Sequence, residues 1–334
     1  MSKIEIHKFN ESHSQEWDAF IDKSNNGTMF HKIAFLNYHP EGKFNFNHLM
    51  FYKDNELVGV LPNGLQKDGS VIWSPTGASY GSIVTRDIAF ELSLEIVDSL
   101  MEYCREQKID EIFLIPPPII YNKIYNQHID YALLYRKFDF ELHYISHAVH
   151  LYGSKDIFKK FDKKARHLIK KNKENPRFRV EISEDLEAFY PILLENKAKH
   201  GVKPTHTLED LYKLKELLPD NLKLFLAYYD DKPIAGSLLF LANRRVALCF
   251  YQMLLYDYKY LHPVFSLMNE TVKWSLENGY EWFDIGVSQD TTAENPMTPS
   301  LNLIYFKERF FARGLLRTTY HYDFRKEIAS GESH

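Results

Sequence analysis

Tyr229-Asp-Asp-Lys-Pro-Ile-Ala-Gly236 reads as a strand end, a tight polar turn and a second strand entered through a glycine, and Tyr52-Lys-Asp-Asn-Glu-Leu-Val-Gly59 repeats the pattern earlier in the chain. After each hairpin a further strand follows, Ser70-Val-Ile-Trp-Ser74 and Arg245-Val-Ala-Leu-Cys-Phe-Tyr251. A long apolar helix comes next, and then a short buried strand, Glu111-Ile-Phe-Leu-Ile115 and Glu281-Trp-Phe-Asp-Ile285. Four elements recurring in one order predict two copies of one α/β unit.

Working outward, the first unit opens with strand-like alternation at 3–9 and two short helices at 14–21 and 30–39. Strands follow at 47–52, 56–65 and 71–74. Leu92, Ile96, Leu100 and Cys104 then stand at four-residue spacing, the stripe of a helix packed on a sheet. Pro116-Pro-Pro118 ends its crossover. The second unit is expected to open with a helix through Lys173 capped by Ser154, then helices at 185–200 and 208–218, the latter capped by Thr207. Strands are expected at 222–229, 234–242 and 245–251, and a helix at 264–278 stops at Gly279 and feeds a strand at 281–285. A helix at 301–311 and a strand at 317–322 close the unit. Domains of 1–150 and 151–325 follow, with a loose polar tail at 326–334.

The chain has 334 residues, 45% hydrophobic and 26% charged, which suits two soluble cores. No stretch approaches the ~20 apolar residues that span a bilayer, and the opening Met1-Ser-Lys-Ile-Glu-Ile-His7 is not a signal peptide, so the expected location is the cytoplasm. Cys104 sits in a helix pattern and Cys249 in a strand pattern, with no CxxC or Cys/His cluster; two buried free thiols and no metal are expected. A net charge of −4 argues against a protein that coats DNA, and leaves room only for a local contact with a polyanion.

Phe283-Asp-Ile-Gly286, followed by a loop and Leu303-Ile-Tyr-Phe-Lys307-Glu-Arg-Phe310, resembles the C-terminal pattern of the Fem-type aminoacyltransferases and their wider GNAT relatives, a (Y/F)D-x-G strand end and an FK-x-x-F helix start. The Lys/Arg-rich segment Lys163-Lys-Ala-Arg166-His-Leu-Ile-Lys170-Lys171, Tyr251 near the end of a central strand, and the doubling itself extend the resemblance. It implies an α/β (α+β) fold of two tandem GNAT-like domains, each a mixed, mostly antiparallel sheet flanked by helices. It also implies transfer of an acyl or aminoacyl group from a thioester or tRNA ester to an amine, commonly on a cell-envelope precursor. The coiled-coil arm of some Fem proteins is missing, as is the (R/Q)-x-x-G-x-(G/A) phosphate loop of acetyl-CoA-dependent GNAT enzymes. His39 stands where peptidoglycan enzymes of this type tend to carry a lysine that meets a nucleotide diphosphate.

Amide formation from an activated ester needs a neutral amine, a donor carbonyl held in a cleft, and positive charge or N–H donors where the oxyanion develops. No covalent nucleophile is required, and no G-x-S-x-G is present. Lys307, matching the family lysine, can steady an oxyanion or a donor phosphate, or pair as an ordinary helix lysine. Asp284 points from a buried strand toward the edge where α/β sheets bind ligands, and either takes the amine proton or caps its own loop. Tyr251 faces the same edge and binds substrate or packs. His206, in the loop Lys203-Pro-Thr-His206-Thr-Leu208, is free to enter a cleft and titrates near neutrality, as a general base does.

In the first unit, Ser74-Pro-Thr-Gly77-Ala-Ser79-Tyr80-Gly81 occupies the place where Fem-type enzymes grip their acceptor, so Ser79 and Tyr80, with His39, are substrate-binding candidates; a plain wide turn is the alternative. Arg166, Lys170 and Lys171 offer a landing site for CoA phosphates or a tRNA acceptor stem, or form a solvated face. The reading is an N-acyltransferase using acyl-CoA (acetyl-CoA), with an amine or a sugar-nucleotide precursor as acceptor. The alternatives are an aminoacyl-tRNA-dependent transferase acting on a peptidoglycan precursor, and a catalytically silent binding module.

Overall fold

The alternation at the N-terminus becomes β1 (Glu5–Lys8), followed by α1 (Ser14–Lys23) and a single turn, α2 (Ile33–Leu36). The helix expected at 30–39 shrinks to that turn: Lys32 is extended at its start, and Pro40 disfavours helical backbone at His39. Then come β2 (Leu49–Lys53), β3 (Glu56–Leu61), β4 (Gly64–Gln66), β5 (Val71–Ser74), β6 (Val84–Thr85), α3 (Phe90–Glu106), β7 (Glu111–Leu114) and α4 (His128–Tyr135). The computed structural model describes residues 3–330 except 200 and 291, and only the backbone of 328–330. It divides the chain into two units, Met1–Tyr144 with Leu316–His334, and Ile145–Leu315.

In the first unit, β1-β2-β3-β6 form one antiparallel sheet. The strand at 71–74, expected as the third arm of that meander, instead pairs antiparallel with β4 and parallel with β7 in a second sheet. Ile96, Leu100 and Cys104 of α3 are fully buried against Leu49, Phe51, Ile72 and Ile112, as their spacing requires.

One long strand, β8 (Asp139–His150), which the residue pattern did not reveal, carries the chain into the second unit. There follow α5 (Lys163–Lys173), β9 (Phe178–Ser183), α6 (Leu186–Lys199), α7 (Leu208–Leu217), β10 (Leu222–Tyr229), β11 (Lys232–Leu241), β12 (Val246–Leu254), α8 (Pro263–Glu277), β13 (Trp282–Val287), α9 (Leu301–Glu308) and β14 (Arg313–Asp323). The cap of α5 is Asp162, whose carboxylate accepts from the Ala165 N–H at 2.6 Å, not Ser154; the helix starts later than its basic run suggested. Thr207 caps α7 reciprocally with Asp210, as expected. Strands run β8-β13-β12-β11-β10-β9, antiparallel except for the parallel pair β12–β13. The core between this sheet and α5 and α8 holds Phe161, Ile169, Phe225, Met268, Phe283 and Phe310.

The two hairpins are the same object. Asp54 and Asn55 take φ of 52° and 63°, and Asp230 and Asp231 take 49° and 62°, so each turn has two left-handed residues, the geometry that matches strand twist. Register corrects the alignment by one residue. Lys53 pairs with Glu56 and Tyr229 with Lys232, so Tyr229 answers Lys53, and Gly59 answers Ala235.

Two boundaries also move. Residues 317–322, expected to close the second unit, lie in the first, where Tyr320 pairs with Leu114 and Tyr322 with Ile112. The tail expected to be loose is helical over Arg325–Ser330 and is pinned by the two-point pair of Arg105 with Glu327 at 2.9 and 2.7 Å; residues 331–334 lie outside the described residues.

Candidate active site

β12 and β13 run parallel with register from Val246–Trp282 to Leu248–Asp284. Just beyond, β12 holds an extra residue, since Leu239 faces Cys249 and Leu238 faces Tyr251, which leaves Phe250 over. β13 bends at Gly286, whose φ is 76°, and its register on β8 jumps from Asp284–Ala148 to Val287–Ser146. Irregularity at the carboxyl ends of adjacent parallel strands is where open α/β sheets accept ligands.

Lys307 projects into this bend from α9 and is 2% exposed. Its ammonium donates to the carbonyls of Gly286 (2.8 Å) and Val287 (2.7 Å) and to Ser288 Oγ (2.9 Å). Burial pushes its pKa down to about 8, against the opposing pull of Asp284 and Cys249. Asp284 is fully buried and accepts from Ser146 Oγ at 2.9 Å and from the Gly286 N–H at 2.7 Å, so its carboxylate holds the bend from the other side. Lys307 and Asp284 are therefore brought together, as a pair that fixes β13.

Two residues that the sequence reading missed complete this cluster. His147 Nδ1 lies 2.9 Å from Ser288 Oγ, and both side chains are buried. Burial and the Lys307 charge lower the His147 pKa. Ser288 stood two residues beyond the Asp-Ile-Gly signature, within the loop already marked; His147 lies on the unread strand β8.

His206 and Tyr251 form a separate pair. The histidine expected to be free in a loop is buried among the rings of Phe240, Phe250 and Tyr251, and its Nδ1 lies 2.9 Å from the Tyr251 hydroxyl. Tyr251, 2% exposed, also accepts from the His206 N–H at 3.3 Å, and burial pushes its hydroxyl up to about 12.

The three basic residues grouped by sequence are divided. Lys171, with Lys164 and Lys259, sits close enough to His262 to depress its pKa, after burial as the first cause. His262, at φ 51°, precedes Pro263 at the start of α8, and Asn172 of α5 ties this turn down through the Leu261 carbonyl (2.9 Å) and Ser266 Oγ (3.0 Å). Lys170 instead lines a groove of about 1060 Å³ between α5, β9 and α8, with Lys155, Lys173 and Arg179. Arg166 donates to the Lys159 carbonyl at 2.8 Å.

In the first unit, His39 is buried and donates from Nε2 to the Gly77 carbonyl at 2.6 Å. Gly77 has φ 73°, and a Cβ there would collide with the His39 ring. Tyr80 is buried against Phe30 and Tyr121, with the Arg317 guanidinium over its ring, and the Ser79 carbonyl accepts from Arg317 at 2.6 Å. The loop is thus held at Gly77 by His39 and at Ser79 and Tyr80 by Arg317. Cys104 and Cys249 are buried free thiols. Among the described residues no cluster of His, Cys, Asp or Glu could hold a metal, and no helix is long and apolar enough to cross a membrane.

Residues 159–293, which carry the strand bend and the basic turn, match the family of acetyltransferase (GNAT) domains. That stretch of the second unit is a GNAT domain. The chain's fold is that of tandem GNAT proteins. The crystal structure of FemX superposes with a TM-score of 0.71 at 13% identity, covering 98% of this chain and 99% of that one. The C-terminal domain of a putative lysylphosphatidylglycerol synthetase from Agrobacterium fabrum gives 0.61 at 11% identity, covering 94% and 92%. A tandem GNAT protein from the clavulanic acid biosynthesis pathway gives 0.56 at 8%, covering 96% and 98%. No curated protein sequence matches the chain.

Proposed function

We propose that this protein is an N-acyltransferase that moves an acyl group from acyl-CoA to an amine of a cell-envelope or surface-polysaccharide precursor in the cytoplasm. In this reading the second unit binds the donor and performs transfer, and the first unit's loop around Ser79 and Tyr80 grips the acceptor. The observation that carries it is the buried Lys307–Ser288–His147 cluster at the bend of β13; the bend and Ser288 lie inside the region that matches the GNAT family, and His147 and Lys307 flank it in sequence. Donor phosphates fit the start of α8, where Lys164, Lys171, Lys259 and His262 converge.

A second reading, aminoacyl-tRNA as donor, has its own support. The turn before α8 (Tyr256–Leu261) has no glycine and Pro263 removes an N–H, so phosphates must be held by side chains rather than by a backbone cradle. The groove lined by Lys155, Lys170, Lys173 and Arg179 offers a longer basic track, and one structural neighbour is titled a putative lysylphosphatidylglycerol synthetase.

A thermal-shift titration with acetyl-CoA, CoA and 3′-dephospho-CoA separates the two. At about a hundredfold excess over the dissociation constant, linkage raises stability by ~2.7 kcal/mol. No shift at millimolar CoA compounds, with a shift on adding charged tRNA, moves the donor to aminoacyl-tRNA; no shift with either leaves a binding module without transfer.

A further inference from the structure

Lys307 has no direct route to a bound substrate, because its three N–H groups are engaged by Gly286, Val287 and Ser288. Its contact with the cleft runs through Ser288. A serine hydroxyl has one proton to give and two lone pairs. A charged Lys307 can only donate, so Ser288 accepts from it and gives its own proton to His147 Nδ1, 2.9 Å away. That leaves the neutral imidazole with its proton on Nε2. Nε2 has no hydrogen-bond partner among the described residues, on a side chain only 2% exposed. The backbone beside it is Gly314: a Cβ there would lie 3.9 Å from Nε2 and 2.7 Å from Ile145 Cδ1. Nε2 is nonetheless not enclosed: it is the one edge of this buried ring that reaches solvent, where an arriving carbonyl oxygen can take the place of water.

We propose that His147 is the substrate-contacting donor of this site, its Nε2–H bonding the acyl donor's carbonyl oxygen and the oxyanion it becomes, with Ser288 and Lys307 as positioning residues that hold the tautomer. The inference rests on the acyltransferase reading above. The amine nitrogen adds to the carbonyl carbon, and the C=O electron pair moves to oxygen, where Nε2–H stabilises it. When the adduct collapses, the bond from carbon to the leaving sulfur or oxygen breaks. The leaving atom keeps the electron pair and receives, through water, the proton lost by the amine.

The arrangement is switchable. When Lys307 is neutral its lone pair accepts the Ser288 proton, Ser288 then accepts from Nδ1–H, and Nε2 becomes a bare acceptor. The charged groups that bear on His147 are Lys307 and Glu308 of α9 and Asp284 of β13. Because the His147 pKa is lowered, the ring is neutral at pH 7, where its tautomer can be read.

The test is nitrogen NMR of the full chain labelled with 15N-histidine, with the His147 signals assigned by their loss in His147→Gln. The expected result is the Nε2–H tautomer at pH 7, changing to Nδ1–H above pH 8, with the change abolished in Ser288→Ala. An Nδ1–H tautomer at pH 7, or a pH response unaltered in Ser288→Ala, overturns the proposal. In the transfer assay, His147→Ala should lose about 10²-fold in kcat with KM for the donor little changed, and His147→Gln, which keeps an N–H, should recover part of it. Failure to transfer with any donor counts against the acyltransferase reading, while the tautomer measurement decides the relay independently.

Discussion

Lys307 Nζ lies 2.8 Å from the carbonyl oxygen of Gly286, the residue at which β13 leaves its regular ladder. The lysine that resembles a family signature therefore also clamps the strand end that shapes the cleft. Structure and chemistry are carried by one ammonium.

Replacing Lys307 by alanine should thus affect stability as well as transfer. The carbonyls of Gly286 and Val287 would lose a charged donor in a buried place, at a cost of about 2–5 kcal/mol together. Turnover should fall by about 10²-fold or more. Urea denaturation alongside single-turnover assays measures both, and native stability with full turnover would remove Lys307 from either role.

The pH response of Lys307 runs in opposite directions for the two properties. With its pKa lowered to about 8, the ammonium is present at pH 7 and lost above 8, so transfer should show a falling alkaline limb near 8 rather than near 10.5. Between 8 and 10.5 the unfolded chain holds a proton that the folded one has shed, so the lysine's contribution to stability rises with pH across that window. A kcat profile flat to pH 9.5 would contradict this.

Lys307 and Asp284 were legible because each lies in a short local pattern, an apolar helix segment and a strand end before a glycine, although Lys307 stands in the last turn of α9 and not at the helix start expected of it. Their joint position was legible only through the family resemblance. His147 was not, because its meaning comes from register: Ser146 meets Asp284 across 138 residues of chain, and no local pattern carries that distance. The burial of His206 escaped for a related reason. Its loop position could be read from Pro204 and the Thr207 cap, but the rings of Phe240 and Phe250 that enclose it come from two later strands. The one-residue error in matching the hairpins came from trusting Tyr52 and Gly59 as landmarks, whereas the turn's left-handed pair sets the frame.

The division of the basic residues yields a discriminating experiment. Lys164→Glu with Lys171→Glu should weaken acetyl-CoA binding by about tenfold or more and flatten its salt dependence, because both face the start of α8. Arg166→Glu, whose side chain is turned to the Lys159 carbonyl, should leave CoA affinity within about twofold. Equal losses in both variants, measured by isothermal titration at two salt concentrations, would place the phosphates elsewhere.

The first unit should be acid-labile, for a reason visible in two histidines. His31 Nδ1 accepts from the Thr28 N–H at 2.9 Å while its Nε2–H donates to the Gly81 carbonyl at 3.1 Å, and His48 Nδ1 accepts from the Asn63 N–H at 3.0 Å. Burial lowers both to about 4 from 6.5. Between those values the unfolded chain binds protons that the folded chain refuses, so stability is full above pH 6.5 and is lost as the pH falls toward 4. Each ring accounts for about 3 kcal/mol across that window, a large part of the ~5–15 kcal/mol that a domain usually holds. Urea midpoints followed from pH 7 to 4.5 should therefore fall steeply, and His31→Gln, though less stable at pH 7, should show a slope shallower by one proton. A wild-type midpoint independent of pH over this range would mean that neither histidine is held neutral by the fold.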